Sequence, residues 1–203
     1  MPEKMLCWPL RGVGFDKLGR NHAPCEWPVP EPKSDELLVR IDAIGLCYSD
    51  VKLIRAGEDH PRVYSEDLSA DPVIPGHEAV MTVVRAGDQV ADDFPVGSRY
   101  IIQADIYVNG VNIAYGYAIN GGMAQYSIID QRILNGDEGS YLLPLADTTP
   151  AGIAALIEPW TCVIASYRIE HRTAPKNGGR MLVAMEPGHT TAYTFGPDAE
   201  GQD

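Results

Sequence analysis

Two short motifs place metal-binding side chains thirty residues apart. Cys47 lies in Gly-Leu-Cys-Tyr-Ser-Asp at residues 45–50, and His77 lies in Pro-Gly-His-Glu at residues 75–78. Zinc binds thiolate sulfur and imidazole nitrogen readily, and a catalytic zinc uses three protein ligands and one open position. We therefore predict a zinc site at Cys47 and His77, with Glu158 as the candidate third ligand.

The residues leave alternatives at each position. Glu78, which follows His77, could ligate the metal in place of Glu158, replace a water transiently, or act from outside the ligand set. Cys47 could be a buried apolar thiol, His77 an ordinary hydrogen-bonded histidine, and Glu158 a solvent-facing carboxylate. Cys162, four residues beyond Glu158, is expected in the core rather than at the metal.

Strand-like patterns surround these motifs. Apolar side chains alternate with polar ones from residue 36, which predicts a half-buried strand that ends at Gly45. A short helix should follow, with Ser49 or Asp50 as its N-cap and Gly57 at its end. Residues 58–75 should form a loop over the site. Further short strands at 78–85 and 99–104, with a turn at 109–110, predict a mainly β, barrel-like domain with a few helices.

The C-terminal part differs in pattern. We expect a helix over 150–157, a break at Glu158 and a second helix over 159–171, because proline disrupts a helix interior. A buried-type strand at 180–185 is followed by Glu-Pro instead of the Gly-x-Gly-x-x-Gly of dinucleotide-binding domains. We therefore expect a domain over 1–175, and over 176–203 a remnant of, or linker to, a nucleotide-binding domain that is missing.

Composition limits the classes of partner. The apolar fraction of 45% and charged fraction of 22% are those of a globular protein. A net charge of −12 argues against nucleic acid and anionic membranes as partners, and it requires any phosphate site to be local. The sequence contains no apolar run that could span a bilayer and no signal-peptide pattern, which predicts a cytoplasmic protein. The four scattered cysteines favour free thiols over disulfides.

Together the motifs at 45–50, 76–78 and 158–159 resemble the catalytic domain of zinc-dependent medium-chain dehydrogenases and reductases. Glu-Pro at 158–159 is similar to the polyol dehydrogenase branch, and residues 99–104 and 158–164 look most like L-sorbose-1-phosphate reductases. The resemblance implies a GroES-like β-barrel fold with one catalytic zinc, held by Cys47, His77 and Glu158. It implies no structural zinc, because residues 105–122 contain no cysteine.

The resemblance also implies a reaction. Such enzymes interconvert alcohols and ketones with NAD or NADP, on small alcohols, polyols or sugar phosphates. Ser49 would begin the proton path, unless it only caps a helix. Asp50 would either accept the second ring N–H of a metal-bound His77 or serve as an N-cap. Tyr107, Tyr115 and Tyr117 would pack in a hairpin or line a substrate pocket.

Three functions stay open at this point. The chain could work as an enzyme with a nucleotide-binding domain on a second polypeptide, although its own activity alone is in doubt. It could be a zinc-binding module without turnover. It could also be a non-catalytic GroES-like scaffold. A surface normally covered by the nucleotide-binding domain would favour homo-oligomers.

Overall fold

The computed structural model describes residues 1–168, 187–188 and 190. Contacts divide the chain into two units, Met1–Pro159 and Trp160–Asp203. The expected strand at 180–185 and almost all of the expected 176–203 segment lie outside the described residues. Within the described part, no helix has the length and apolar character needed to cross a membrane.

A five-stranded antiparallel sheet forms the frame of the first unit. In chain order its strands are β3 (Leu37–Gly45), β4 (Glu78–Ala86), β5 (Arg99–Ile102), β8 (Tyr126–Ile129) and β9 (Leu142–Pro144), and their spatial order is β8-β3-β4-β5-β9. The predicted strand that ends at Gly45 is confirmed, as is the mainly β character. The strand predicted over 99–104 is shorter than expected and ends at Ile102.

The central pair, β3 and β4, determines which residues meet at the site. Register shifts occur after Leu38 and after Ile41, and beyond the second shift Gly45 lies directly opposite Glu78. The last residue of β3 and the first residue of β4 therefore face each other at one end of the sheet.

Two small sheets complete the strands. β1 (Lys4–Cys7) pairs with β2 (Cys25–Pro28), and β6 (Tyr107–Val108) pairs with β7 (Val111–Asn112). Between β6 and β7, Asn109 and Gly110 both have positive φ, of 53° and 74°. This is the two-residue hairpin turn that Asn-Gly predicts. The Asp137 carboxylate stabilises it by accepting hydrogen bonds from both backbone N–H groups.

Within the described residues four α-helices accompany the strands: α1 (Tyr48–Ala56), α2 (Gln131–Leu134), α3 (Ala151–Ala154) and α4 (Ile157–Ser166). The expected break at Glu158 is wrong, because the helix is interrupted at residues 155–156 and α4 already begins at Ile157. Pro159 is accommodated because a first-turn N–H has no partner within the helix. Cys162, expected in the core, is exposed.

Apolar packing fixes the elements around the site. Leu53 and Ile54 of α1 pack with Val63, Leu68 and Val73, so the connection over residues 58–75 is anchored to α1. On the other side of the sheet end, α3 packs through Ala154 and Ala155 on Val80 and Ile101. The two sides of the site are thus held by separate apolar clusters. Most of the remaining core lies between the main sheet and its surrounding loops, and it includes Leu37, Val39, Met81, Val83, Tyr115 and Ile129.

Candidate metal centre

Cys47 caps the helix that follows β3. Its side chain accepts a hydrogen bond from the backbone N–H of Ser49, with 3.5 Å between sulfur and nitrogen. The Asp50 carboxylate in turn accepts from the backbone N–H of Cys47 at 3.0 Å, which completes a reciprocal capping box. The predicted N-cap at Ser49 or Asp50 is therefore wrong. Asp50 is the third residue of the helix, and its carboxylate accepts the hydrogen bond that completes the capping box.

His77 is brought to the site by Gly76. Gly76 has φ of 97°, and a Cβ at this position would lie 2.2 Å from Ile44 Cδ1. Its carbonyl accepts a hydrogen bond from the Gly122 N–H, and the Pro75 carbonyl accepts one from the Met123 N–H. The segment at 122–123 therefore fixes the entry to β4, and His77 is buried immediately before that strand begins.

Glu78 occupies space that only glycine leaves open on the opposite strand. A Cβ on Gly45 would lie 1.9 Å from Glu78 Oε2. The Glu78 carboxylate is thus directed across the strand pair, and it contacts the Cys47 thiol. With a larger residue at position 45, the Glu78 carboxylate could not occupy this position.

Potential ligand atoms of Cys47, His77 and Glu78 lie within 4.8 Å of one another. Around one tetrahedral zinc such atoms would be about 3.3–3.7 Å apart, given the usual Zn–S, Zn–N and Zn–O bond lengths. The difference of about 1 Å is within the range of side-chain rotation. One thiol, one imidazole and one carboxylate also match a catalytic zinc with a fourth position open. The donor set therefore fits zinc.

Asp50 determines which nitrogen of His77 faces the metal position. Asp50 Oδ1 lies 3.3 Å from Nδ1 of His77, and both side chains are buried. Because a carboxylate only accepts hydrogen bonds, Nδ1 carries the proton and Nε2 is the nitrogen available for a metal. Burial alone would lower the pKa of His77, but Asp50 and the neighbouring Cys47 raise it to about 9.

Ser49 lies beside the same nitrogen. Its Oγ is 3.3 Å from Nε2 of His77. It also forms a hydrogen bond with the Tyr117 side chain, whose pKa is raised by burial. The Tyr117 ring packs at a centroid distance of 5.9 Å from the His77 ring. Of the three tyrosines considered from the sequence, Tyr117 is the one at this site, whereas Tyr115 is in the core and Tyr107 is in the hairpin.

Glu158 lies near this group but outside it. It is partly buried in the first turn of α4, and it is not part of the three-residue cluster. Burial raises the pKa of Glu78, and the charge of Glu158 adds to that increase. The geometry thus favours Glu78 as the third ligand, while Glu158 is a second carboxylate facing the same region.

Sequence reasoning missed two basic side chains at Tyr117 and a third on α1. His60 packs on the Tyr117 ring at 5.0 Å, and the Arg62 guanidinium carbon lies 5.9 Å from it. Lys52 projects from α1 and is exposed. The His-Pro-Arg segment at residues 60–62, four residues after α1 ends, is the sequence signal that could have indicated His60 and Arg62.

Comparisons with known proteins agree on a GroES-like fold and on relatives that are dehydrogenases and reductases. The family model of the alcohol dehydrogenase GroES-like domain matches residues 33–135. Mannitol-1-phosphate 5-dehydrogenase of Aliivibrio fischeri is 33% identical over 165 residues, which cover 76% of this chain and 38% of the relative. L-sorbose 1-phosphate reductase of Klebsiella pneumoniae is 29% identical over 164 residues, covering 80% and 39%. The chain thus spans about two fifths of the length of these relatives.

Among solved structures, a cobalt- and zinc-bound thermostable alcohol dehydrogenase from Pyrobaculum aerophilum superposes with a TM-score of 0.58. It is 19% identical, and the match covers 76% of this chain and 45% of that chain. At this identity the similarity concerns the fold.

Proposed function

Because the chain belongs to the alcohol dehydrogenase GroES-like domain family, we propose that it is the metal-binding and substrate-binding part of a zinc-dependent, NAD- or NADP-dependent oxidoreductase. The reaction is the interconversion of an alcohol and a ketone on a polyol or sugar phosphate. The observation that carries the proposal is the convergence of Cys47, His77 and Glu78 within 4.8 Å at one end of the main sheet. Relatives named for sugar-phosphate chemistry support the substrate class.

Each residue has a defined role in this proposal. Cys47, His77 and Glu78 hold the zinc, and Asp50 orients His77 through Nδ1. When bound, zinc supplies Lewis-acid polarisation of the substrate hydroxyl and the nicotinamide carries the hydride. Glu158, which the sequence predicted as the third ligand, lies near Glu78 as a further carboxylate.

Ser49 is placed to handle the proton. Its Oγ lies beside His77 Nε2 and is hydrogen-bonded to Tyr117. A hydroxyl both donates and accepts, so Ser49 Oγ can take a proton from a substrate hydroxyl at the metal position and pass one on. Burial raises the pKa of Tyr117, and its phenol is a second hydrogen-bonding group beside Ser49.

Cobalt substitution tests the proposal without requiring turnover. The chain is loaded with Co(II), and we expect a thiolate-to-cobalt charge-transfer band with the intense d–d absorption of a tetrahedral site. The band should be lost in Cys47→Ser, and mannitol should alter the d–d region. Cys25→Ser serves as the matched control, since Cys25 lies on β2 away from the site. Failure to bind one metal per chain, or a charge-transfer band that survives Cys47→Ser, would refute the proposal.

The same proposal includes a homo-oligomeric state and a cytoplasmic location. Leu46 and Tyr48, on either side of Cys47, are 78% and 64% exposed, and Ile153 of α3 is 62% exposed. Exposed apolar side chains of this kind favour association. The association is measured by sedimentation velocity over a range of concentrations. Ile153→Asp is the comparison.

A further inference from the structure

Three basic side chains lie next to the proposed metal centre and are not explained by metal binding. The imidazole of His60 and the guanidinium of Arg62 both pack against Tyr117, which itself contacts His77. Burial lowers the pKa of His60, and the positive charges of Arg62 and Lys52 lower it further. His60 and Arg62 are therefore neighbours at the Tyr117 ring, while the Lys52 ammonium lies 5.8 Å from the Tyr48 ring, near enough for its charge to act on His60.

Arg62 is held in a defined orientation. Its Nη1 donates to Asp105 Oδ1 at 2.7 Å, and its guanidinium lies over the Tyr117 ring. A guanidinium has five N–H donors, so this contact with Asp105 leaves donors for an anion. The side chains of Arg62 and Asp105 are 41% and 48% exposed, which leaves the guanidinium accessible to a ligand.

His60 adds a directed donor. The backbone N–H of Arg62 donates to His60 Nδ1 at 3.3 Å. Because Nδ1 accepts, the neutral ring carries its proton on Nε2, which is then a donor. Asp105 neutralises one unit of the local charge, and Lys52 supplies another positive charge from α1.

We propose that Arg62, His60 and Lys52 form a subsite for the phosphate monoester of the substrate. This inference rests on the proposed function, because it places the phosphate at the far end of a polyol whose reacting carbon lies at the metal centre. Two ring contacts, from His77 to Tyr117 and from Tyr117 to Arg62, separate the two ends. A neutral polyol would gain little from these charges, whereas a phosphate gains charge-assisted hydrogen bonds.

The test compares mannitol 1-phosphate with mannitol by isothermal titration calorimetry on the zinc-loaded chain, with NADP⁺ as a third ligand. We expect mannitol 1-phosphate to bind at least about tenfold more tightly than mannitol. Arg62→Ala should lower the affinity for mannitol 1-phosphate by on the order of tenfold and leave the affinity for mannitol unchanged. Arg55→Ala removes the same charge from an exposed position at the end of α1 and is the matched control.

A second variant keeps the test decisive if Arg62→Ala unfolds. Lys52→Glu lies on the exposed face of α1 and should also weaken mannitol 1-phosphate selectively. Equal affinity for the two polyols, equal effects of Arg62→Ala and Arg55→Ala, or tighter binding of NADP⁺ than of mannitol 1-phosphate would overturn the subsite. Zinc content is measured on every sample. A zinc-loaded chain with no phosphate preference refutes the subsite alone, whereas a zinc-free chain that prefers the phosphate through Arg62 refutes the metal proposal alone.

Discussion

Gly45 and Glu78 are opposite partners in the β3–β4 pair, and the Glu78 carboxylate fills the space that a side chain at position 45 would occupy. The position of a candidate metal ligand thus depends on the absence of a Cβ on the neighbouring strand.

Gly45→Ala should therefore weaken zinc binding. The new Cβ would lie 1.9 Å from Glu78 Oε2, so the carboxylate must rotate away from Cys47 and His77. Because overpacking of this kind costs about 1–3 kcal/mol, we expect zinc affinity to fall by on the order of ten- to a hundredfold in chelator competition. Gly152→Ala, which introduces a Cβ into open space on α3, should leave zinc affinity unchanged. An unaltered affinity in Gly45→Ala would mean that Glu78 is not a ligand.

Glu78→Gln and Glu158→Gln distinguish the two candidate third ligands. Glu78 is within the ligand cluster and Glu158 is outside it, so Glu78→Gln should lose more zinc affinity. Loss of a residue outside the ligand set commonly costs about 10–100-fold, and we expect Glu158→Gln to stay within that range. Chelator competition at fixed pH gives both values. The reverse order of effects would assign the ligand to Glu158, as the sequence first indicated.

Asp50→Asn should change two properties together. Asp50 accepts hydrogen bonds from the Cys47 N–H and lies against His77 Nδ1, so the variant weakens both the α1 cap and the orientation of the imidazole. We expect a loss of about 1 kcal/mol in unfolding free energy, the usual contribution of one hydrogen bond, and about 10–100-fold in zinc affinity. Asp130→Ala, which removes the N-cap side chain of α2, is the control and should lower stability without affecting zinc. Normal zinc affinity in Asp50→Asn would show that Asp50 acts only as a cap.

Stability should depend on the ionisation of Glu36, at the entry to β3. Burial alone would raise the pKa of Glu36, but its hydrogen bonds with the Lys33 backbone and ammonium groups lower it overall. A carboxyl whose pKa is lowered on folding stabilises the protein above its unfolded pKa of about 4.3, and that contribution is lost as pH falls through the folded value. Urea unfolding of the wild type and Glu36→Gln should therefore differ at pH 7 and converge in acid. A difference that persists in strong acid would exclude this linkage.

Much of the site could be predicted from the sequence because its signals are local. Alternation up to Gly45 placed Cys47 just beyond a strand, and Pro-Gly before His77 placed the imidazole at the start of the next one. The choice between Glu78 and Glu158 could not be made, because it depends on the register of β3 against β4. Two register shifts precede the Gly45–Glu78 pair, and no sequence pattern predicts where such shifts occur.

Other errors have equally physical causes. Cysteine is not among the preferred N-cap residues, so Cys47 was overlooked as the cap of α1. The break before α4 was placed too late because Pro159 was treated as a helix disruptor, although a proline in the first turn removes no helical hydrogen bond. The position of Tyr117 beside His60 and Arg62 depends on contacts between segments distant in sequence, which periodicity does not report.

The outermost strand of the main sheet has a consequence for self-association through strand pairing. Leu145 donates its N–H inward to the Arg99 carbonyl, so by alternation the amide positions of Leu142 and Pro144 point away from the sheet. Pro144 has no N–H, and the Leu142 N–H already donates to Ser140 Oγ at 3.2 Å, so β9 offers no unpaired N–H at this edge. A further strand from another molecule would find little backbone to pair with, and this edge is therefore protected against fibril-type aggregation.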